Sequence, residues 1–170
     1  MVSETTDEQL KEWFESASDV EQHQFEILRQ ISRSISVEAT FNTGREMLLR
    51  ALEHRDRFVE TQQVVNSLIN SVGLYPFSDT DMLSLSDLLA YEYNRTLESD
   101  QNGAIFHREQ ADIYRRLVNG ENVVLSAPTS FGKSRIIDAV IATNDYQNVV
   151  IIVPTLALID ETRRRLSSIE

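Results

Sequence analysis

A Gly-Lys-Ser triplet at residues 132–134 sits between two stretches of different periodicity, and no other feature narrows the fold as far. Residues 122–126 before it (NVVLS) form a short apolar run that reads as a buried strand, and residues 133–143 after it read as an amphipathic helix. The same alternation continues, with a second apolar run at 148–153 and a helical pattern at 156–169, while residues 106–119 supply a helix upstream. Strand, helix, strand, helix with continuous apolar strands predicts a partial α/β domain built on parallel strands over residues 104–170.

The turn itself carries chemistry. Ala127, Pro128, Thr129, Ser130, Phe131, Gly132, Lys133 and Ser134 have the spacing of a phosphate-binding loop, with alanine at the first glycine position. In such a loop backbone N–H groups wrap the phosphates, and Gly132 lets the main chain approach closely. Lys133, the candidate catalytic residue, reaches the β- and γ-phosphates, and the Ser134 hydroxyl holds Mg²⁺. The following helix directs its positive N-terminal end at the anion. The expected cofactors are therefore ATP and Mg²⁺. A chance glycine-lysine turn is the alternative, and the apolar run before it and the helix after it argue against that.

The run SAPTSFGKS resembles motif I of superfamily-2 helicases and translocases, especially the DExH group, whose usual form is A-P-T-G-x-G-K-T. Ser130 stands where glycine is commoner, and the Phe131 ring must turn away from any nucleotide. Upstream, FHREQADIY (residues 106–114) is similar to the helicase Q-motif. The matching glutamine is Gln110, 23 positions before Lys133. An amide suits adenine because it donates and accepts at once, and Phe106, a helical turn earlier, would pack on the base. Without the loop, Gln110 would read as a solvated surface residue. Downstream, VVIIVPTLALIDETRRRL (residues 149–166) looks like motif Ia, which implies that Pro154, Thr155 and Leu156 lie near a bound DNA or RNA strand. The arginine often found in that stretch is missing, and Arg163, Arg164 and Arg165 offer charge only two turns later. A solvated helix end with favourable dipole placement explains those arginines equally well.

The resemblance covers roughly 65 of the 170 residues and implies a RecA-like helicase ATP-binding domain, cut after motif Ia. Residues 156–161 (LALIDE) imitate an apolar run ending in the Mg²⁺-binding acid pair. They follow Pro154-Thr155 directly after a complete strand, so they read better as a helix face. With no other candidate acid and no arginine finger, the chain alone is expected to bind ATP without hydrolysing it. The rival readings are another P-loop protein, such as a kinase or regulatory NTPase, and a helical interaction module attached to a nucleotide-binding domain.

Residues 1–100 predict an acidic, all-helical domain. Apolar positions at Leu10, Trp13, Phe14, Val20, Phe25, Leu28, Ile31 and Ile35 mark one helix face, with Thr6 and Gln9 as a capping box. A second helical run starts at Thr43, reciprocally capped by Glu46, and stops at Gly73 and Pro76. A third runs from about Asp79 to Leu97, capped by Ser78 or Asp79. The bundle reading competes with a coiled-coil arm, which Ala17, Glu21 and Gln24 weaken by occupying seam positions that want large apolar residues. Residues 98–103 (ESDQNG) read as the linker. Residues 1–100 carry 19 acids and 8 bases, while residues 101–170 carry 8 of each. The helical half is thus a poor grip for phosphates and a better surface for a protein partner or for self-association. By itself it carries no motif that names a family. The general look of the helical region with SAPTSFGKS resembles bacterial anti-phage defence helicases, although no single motif carries that likeness.

The chain has no cysteine, which removes disulfides, thiolate zinc sites and cysteine nucleophiles. His23, His54 and His107 lie too far apart for metal-ligand spacing. The polar, acidic N-terminus is no signal peptide, and the longest apolar run is far short of a membrane span, so a cytoplasmic location is expected.

Overall fold

The computed structural model describes residues 7–96, 103–143 and 145–167. They divide into two units, the division falling between Leu89 and Ala90. The expected linker at 98–103 lies, except for Gly103, outside the described residues, as does Thr6 of the expected first cap.

The first unit is helical. Helix α1 (Asp7–Trp13) is followed by α2 (Ala17–Ile35), α3 (Phe41–Glu53) and α4 (Gln62–Ser71), with 3-10 turns at Glu38–Thr40, Arg55–Arg57, Tyr75–Phe77 and Thr80–Met82. Helix α5 (Leu85–Tyr93) runs across the division between the units. Leu10, Val20, Ile27, Leu28, Ile31, Leu48, Ala51, Phe58 and Ile69 are sealed from solvent in one core cluster. Helix α3 begins two residues before the expected start, so Thr43 lies inside it, and Thr40 at its N-cap position makes no side-chain cap bond. Gly44 lets α3 approach α2 closely, because a Cβ there would stand 2.8 Å from the Ile35 amide nitrogen and 2.9 Å from Ser34 Cβ. The loop after α4 is pinned by Asn66, whose amide accepts from the Asp79 N–H (2.8 Å) and donates to its carbonyl (3.2 Å).

The second unit contains α6 (Arg108–Val118), a 3-10 turn at Thr129–Phe131, α7 (Lys133–Ala142) and α8 (Leu156–Leu166). Helices α6 and α7 share a small core of Phe106, Ala111, Tyr114 and Ile136, with Phe131, Ala139 and Val140 against it. Just before α6, the Thr96 amide donates to Ala104 O and the Phe106 amide to Asn94 O, both at 3.0 Å. The pairing stops at an isolated antiparallel bridge between Arg95 and Ile105.

The expected α/β architecture is not what forms. Among the described residues there is no β-strand and no sheet, parallel or otherwise. Residues 122–126 and 148–153 carry no strand, and alternate apolar side chains read as buried face solvent, Val124 fully, Val150 at 83% and Ile152 at 91% exposure, while Val123, Leu125, Ile151 and Val153 are half-buried. An apolar run signals burial only if a second layer covers it, and a strand exists only where a neighbour completes its ladder. Neither partner is found among the described residues.

Candidate functional site

The turn between residues 127 and 134 depends on a left-handed residue. Thr129–Phe131 make one 3-10 turn, and Gly132 at φ 81°, ψ 31° then redirects the chain into α7. A side chain at Gly132 would be strained by that φ alone. It would also collide with Gln110, whose Nε2 lies 2.7 Å from the position a Cβ would occupy. Lys133 is the first residue of α7 and Ser134 the second. Among the described residues, no backbone bond takes up the N–H groups of Gly132, Lys133 or Ser134. Such amides at a helix start form a concavity of donors suited to an anion.

Lys133 folds back over this turn. Its ammonium donates to Ala127 O at 2.7 Å and to Pro128 O at 2.8 Å, leaving the third of its donors for another acceptor. Pro128, Thr129, Ser130 and Ser134 are exposed and Ala127 half-buried. The Phe131 ring packs against the core of the unit.

Gln110 stands in the first turn of α6 and is 5% exposed. Its Oε1 accepts the His107 N–H at 3.1 Å, closing the helix start, and its Nε2 donates to Phe131 O at 2.7 Å. The glutamine is therefore a brace between α6 and the turn, a role its spacing did not announce. Each amide atom still has one bonding position in reserve. Phe106 is 1% exposed and meets Tyr114 edge to face, centroids 5.8 Å apart. The exposed ring nearby in the chain is Tyr93, with the Arg115 guanidinium 3.5 Å from its centroid.

The third group, Pro154, Thr155 and Leu156, opens α8. Thr155 is its N-cap and accepts from the Leu158 N–H at 3.3 Å, and all three residues are exposed. Asp160 and Glu161 lie in the middle of this helix. The three arginines of its last turn divide: Arg163 is exposed, Arg164 Nε reaches Asp160 O on its own helix at 3.3 Å, and Arg165 Nε lies 3.0 Å from Asp138 Oδ2 on α7. Burial pushes the Asp138 carboxyl above the ordinary carboxylate range, and the neighbouring Arg165 charge opposes that shift. Asp138 escaped the sequence reading, although an acid within Ile136-Ile137-Asp138-Ala139-Val140 is the pattern of a buried charge that needs a partner.

Among the described residues no three His, Asp or Glu side chains gather to hold a metal, and no helix is long and apolar enough to cross a membrane.

Residues 107–170, which contain all three groups except Phe106, match the DEAD/DEAH box helicase family. Residues 3–88 match the family described as the anti-bacteriophage protein B N-terminal domain. The chain is 40% identical over 144 residues to anti-bacteriophage protein B of Escherichia coli (strain K12), an alignment covering 84% of this chain and 20% of that protein. It thus spans about a fifth of the length of that relative. No solved structure matches the chain. With more than half its residues inside the match at 3–88, the chain belongs to the family of the anti-bacteriophage protein B N-terminal domain, here followed by a segment that matches the DEAD/DEAH box helicase family.

Proposed function

We propose that residues 127–134 bind the phosphates of ATP, and that the chain is the nucleotide-binding front part of a superfamily-2 helicase or translocase that serves defence against phage. The observation that carries the reading is the turn itself. A left-handed Gly132 is followed by the amides of Lys133 and Ser134, which no backbone bond takes up among the described residues, at the start of a ten-residue helix, with the Lys133 ammonium poised on two loop carbonyls. A triphosphate offers that ammonium a charged acceptor in place of two neutral ones, and charge-assisted bonds are about twice as strong. Ser134 supplies a hydroxyl to Mg²⁺, which arrives with the nucleotide. The reserve donor and acceptor of Gln110 match an adenine edge. Pro154, Thr155 and Leu156, at an exposed helix start, suit the backbone of a DNA or RNA strand. The helicase-family match supports the motor reading, and the name of the E. coli relative supports the role in phage defence.

Equilibrium binding of ATP with Mg²⁺ to the 170-residue chain tests the central claim. Saturable binding is expected, weakened at least about tenfold by Lys133→Ala as a charged phosphate contact is lost. Equal affinity in wild type and variant would remove the proposal. Steady turnover of ATP is not expected, because Asp160 and Glu161 sit mid-helix rather than beside the turn in sequence.

A further inference from the structure

Helix α8 is held to its unit by little apolar packing. It buries no residue, and Leu156, Leu158 and Ile159 are exposed at 80%, 38% and 48%. Against that background stands one half-buried contact between charges. Arg165 Nε lies 3.0 Å from Asp138 Oδ2, with the two side chains 30% and 19% exposed. The residues are 27 positions apart and lie on different helices. Asp138 shares α7 with Lys133, five residues on and so about 7.5 Å along a rigid rod. Arg165 shares α8 with the turn at residues 154–156. The other Asp138 oxygen is buried and has no hydrogen-bond partner among the described residues, so the ion pair with Arg165, a contact of charges and not an aligned hydrogen bond, is what offsets that charge. Breaking one side of such a pair leaves an uncompensated buried ion, which gives the contact leverage out of proportion to its size.

We infer that Asp138 and Arg165 are positioning residues that couple the phosphate-binding turn to the start of α8. The coupling rests on the nucleotide-binding reading, whereas the tether between the helices does not. When Lys133 leaves the carbonyls of Ala127 and Pro128 for a phosphate, α7 readjusts at its first turn. The ion pair carries that readjustment into α8, whose N-terminal turn presents Pro154, Thr155 and Leu156. Of three adjacent arginines only Arg165 does this, because Arg163 is exposed and Arg164 bonds within its own helix.

Hydrogen exchange on the full chain separates the two parts. Without nucleotide, Arg165→Met and Asp138→Asn should each speed amide exchange across residues 156–166 by about tenfold, while Arg163→Met leaves it unchanged. The swap Asp138→Arg with Arg165→Asp should restore much of the protection, which a merely disrupted fold would not allow. With Mg²⁺-ATP, exchange in residues 156–166 should change in wild type and in Arg163→Met but not in Arg165→Met, whose ATP affinity stays within about threefold. Wild-type exchange rates in the Arg165→Met helix overturn the tether. ATP that protects residues 129–135 yet leaves α8 unaltered in wild type overturns the coupling. ATP that alters exchange nowhere refutes the nucleotide reading, and with it the coupling, and the tether is still judged by the nucleotide-free comparison.

Discussion

Gln110 and Gly132 are fitted to one another: the Gln110 Nε2 lies 2.7 Å from the point a Gly132 Cβ would occupy, while the same nitrogen donates to the adjacent Phe131 carbonyl at 2.7 Å. The glutamine in the first turn of α6 and the glycine of the turn at residues 127–134 thus form one structural unit. A change at either position is felt at the other.

Gly132→Ala meets two costs at once, a left-handed φ of 81° and the amide nitrogen in its path. A non-glycine residue held at positive φ costs of order 1–3 kcal/mol, and displacing Gln110 adds to that. The expected result is a loss of about 2 kcal/mol in the stability of the second unit together with a fall in ATP affinity. Urea titration followed by circular dichroism, alongside ATP binding, checks both.

Gln110→Ala separates bracing from adenine reading. Removing the amide leaves the Phe131 carbonyl and the His107 N–H without their partner, a cost of about 1–3 kcal/mol that weakens every nucleotide alike. If the glutamine also reads the base, the wild type prefers ATP over GTP and the variant loses that preference. Competition of ATP and GTP for a fluorescent nucleotide measures the ratio. A preference retained in Gln110→Ala would confine the residue to bracing.

The sequence revealed helices more faithfully than layers. Val20, Leu28 and Ile31 lie at helical spacing and are buried, whereas Phe25 is 64% exposed. The inward place between Val20 and Leu28 belongs to Gln24, which accepts from Thr61 Oγ1 at 2.9 Å, and α2 departs from helical φ/ψ at His23. A polar seam residue and a kink together hide the true face from a count of apolar positions. Asp79 does cap a helix, but a 3-10 turn, through the Asp81 N–H, and α5 starts only at Leu85. The turn at residues 127–134 was legible because Gly132 answers a local demand for positive φ. The expected strands at 122–126 and 148–153 were misread because their existence depends on neighbours that no local pattern encodes.

Gly44→Ala tests a close approach between α2 and α3 in the first unit. The new methyl would stand 2.8 Å from the Ile35 backbone nitrogen and 2.9 Å from Ser34 Cβ, and backbone yields less readily than a flexible side chain. Alanine favours helix by about 1 kcal/mol over glycine, so any net loss understates the clash by about that amount. A destabilisation of about 1–3 kcal/mol is expected from overpacking. Trp13, the single tryptophan, stacks on His23 at 4.1 Å and provides the fluorescence signal for unfolding of this unit.

Asn66→Ala removes a buried amide that satisfies both the N–H and the carbonyl of Asp79. Asn66 is 2% exposed, so water cannot easily replace it. A loss of about 2 kcal/mol is expected, with the 75–82 loop exchanging its amides faster than in wild type. Asn66→Asp is the sharper variant, because it keeps the acceptor for the Asp79 N–H but sets a carboxylate against the Asp79 carbonyl. It should therefore be no better tolerated than alanine near neutral pH and should recover in acid, where protonation restores a donor. The same tryptophan signal, read across pH, distinguishes this outcome from simple loss of volume.

Asp138 supplies a pH signature with a definite sign. Its carboxyl is held above the ordinary range by burial, against the pull of Arg165, so between the unfolded and folded values the native chain binds more protons than the unfolded one. Stability contributed by this group is then greatest below the ordinary carboxylate value and declines as pH rises through the folded value. Other carboxylates titrate in the same region, so the informative quantity is the difference between wild type and Asp138→Asn. That difference should shift steadily in favour of the asparagine variant as pH climbs through the interval and become constant above it. Urea unfolding of the second unit at a series of pH values, followed by circular dichroism, provides the curve. A difference that is flat with pH would mean that Arg165 fully offsets the burial of the Asp138 charge.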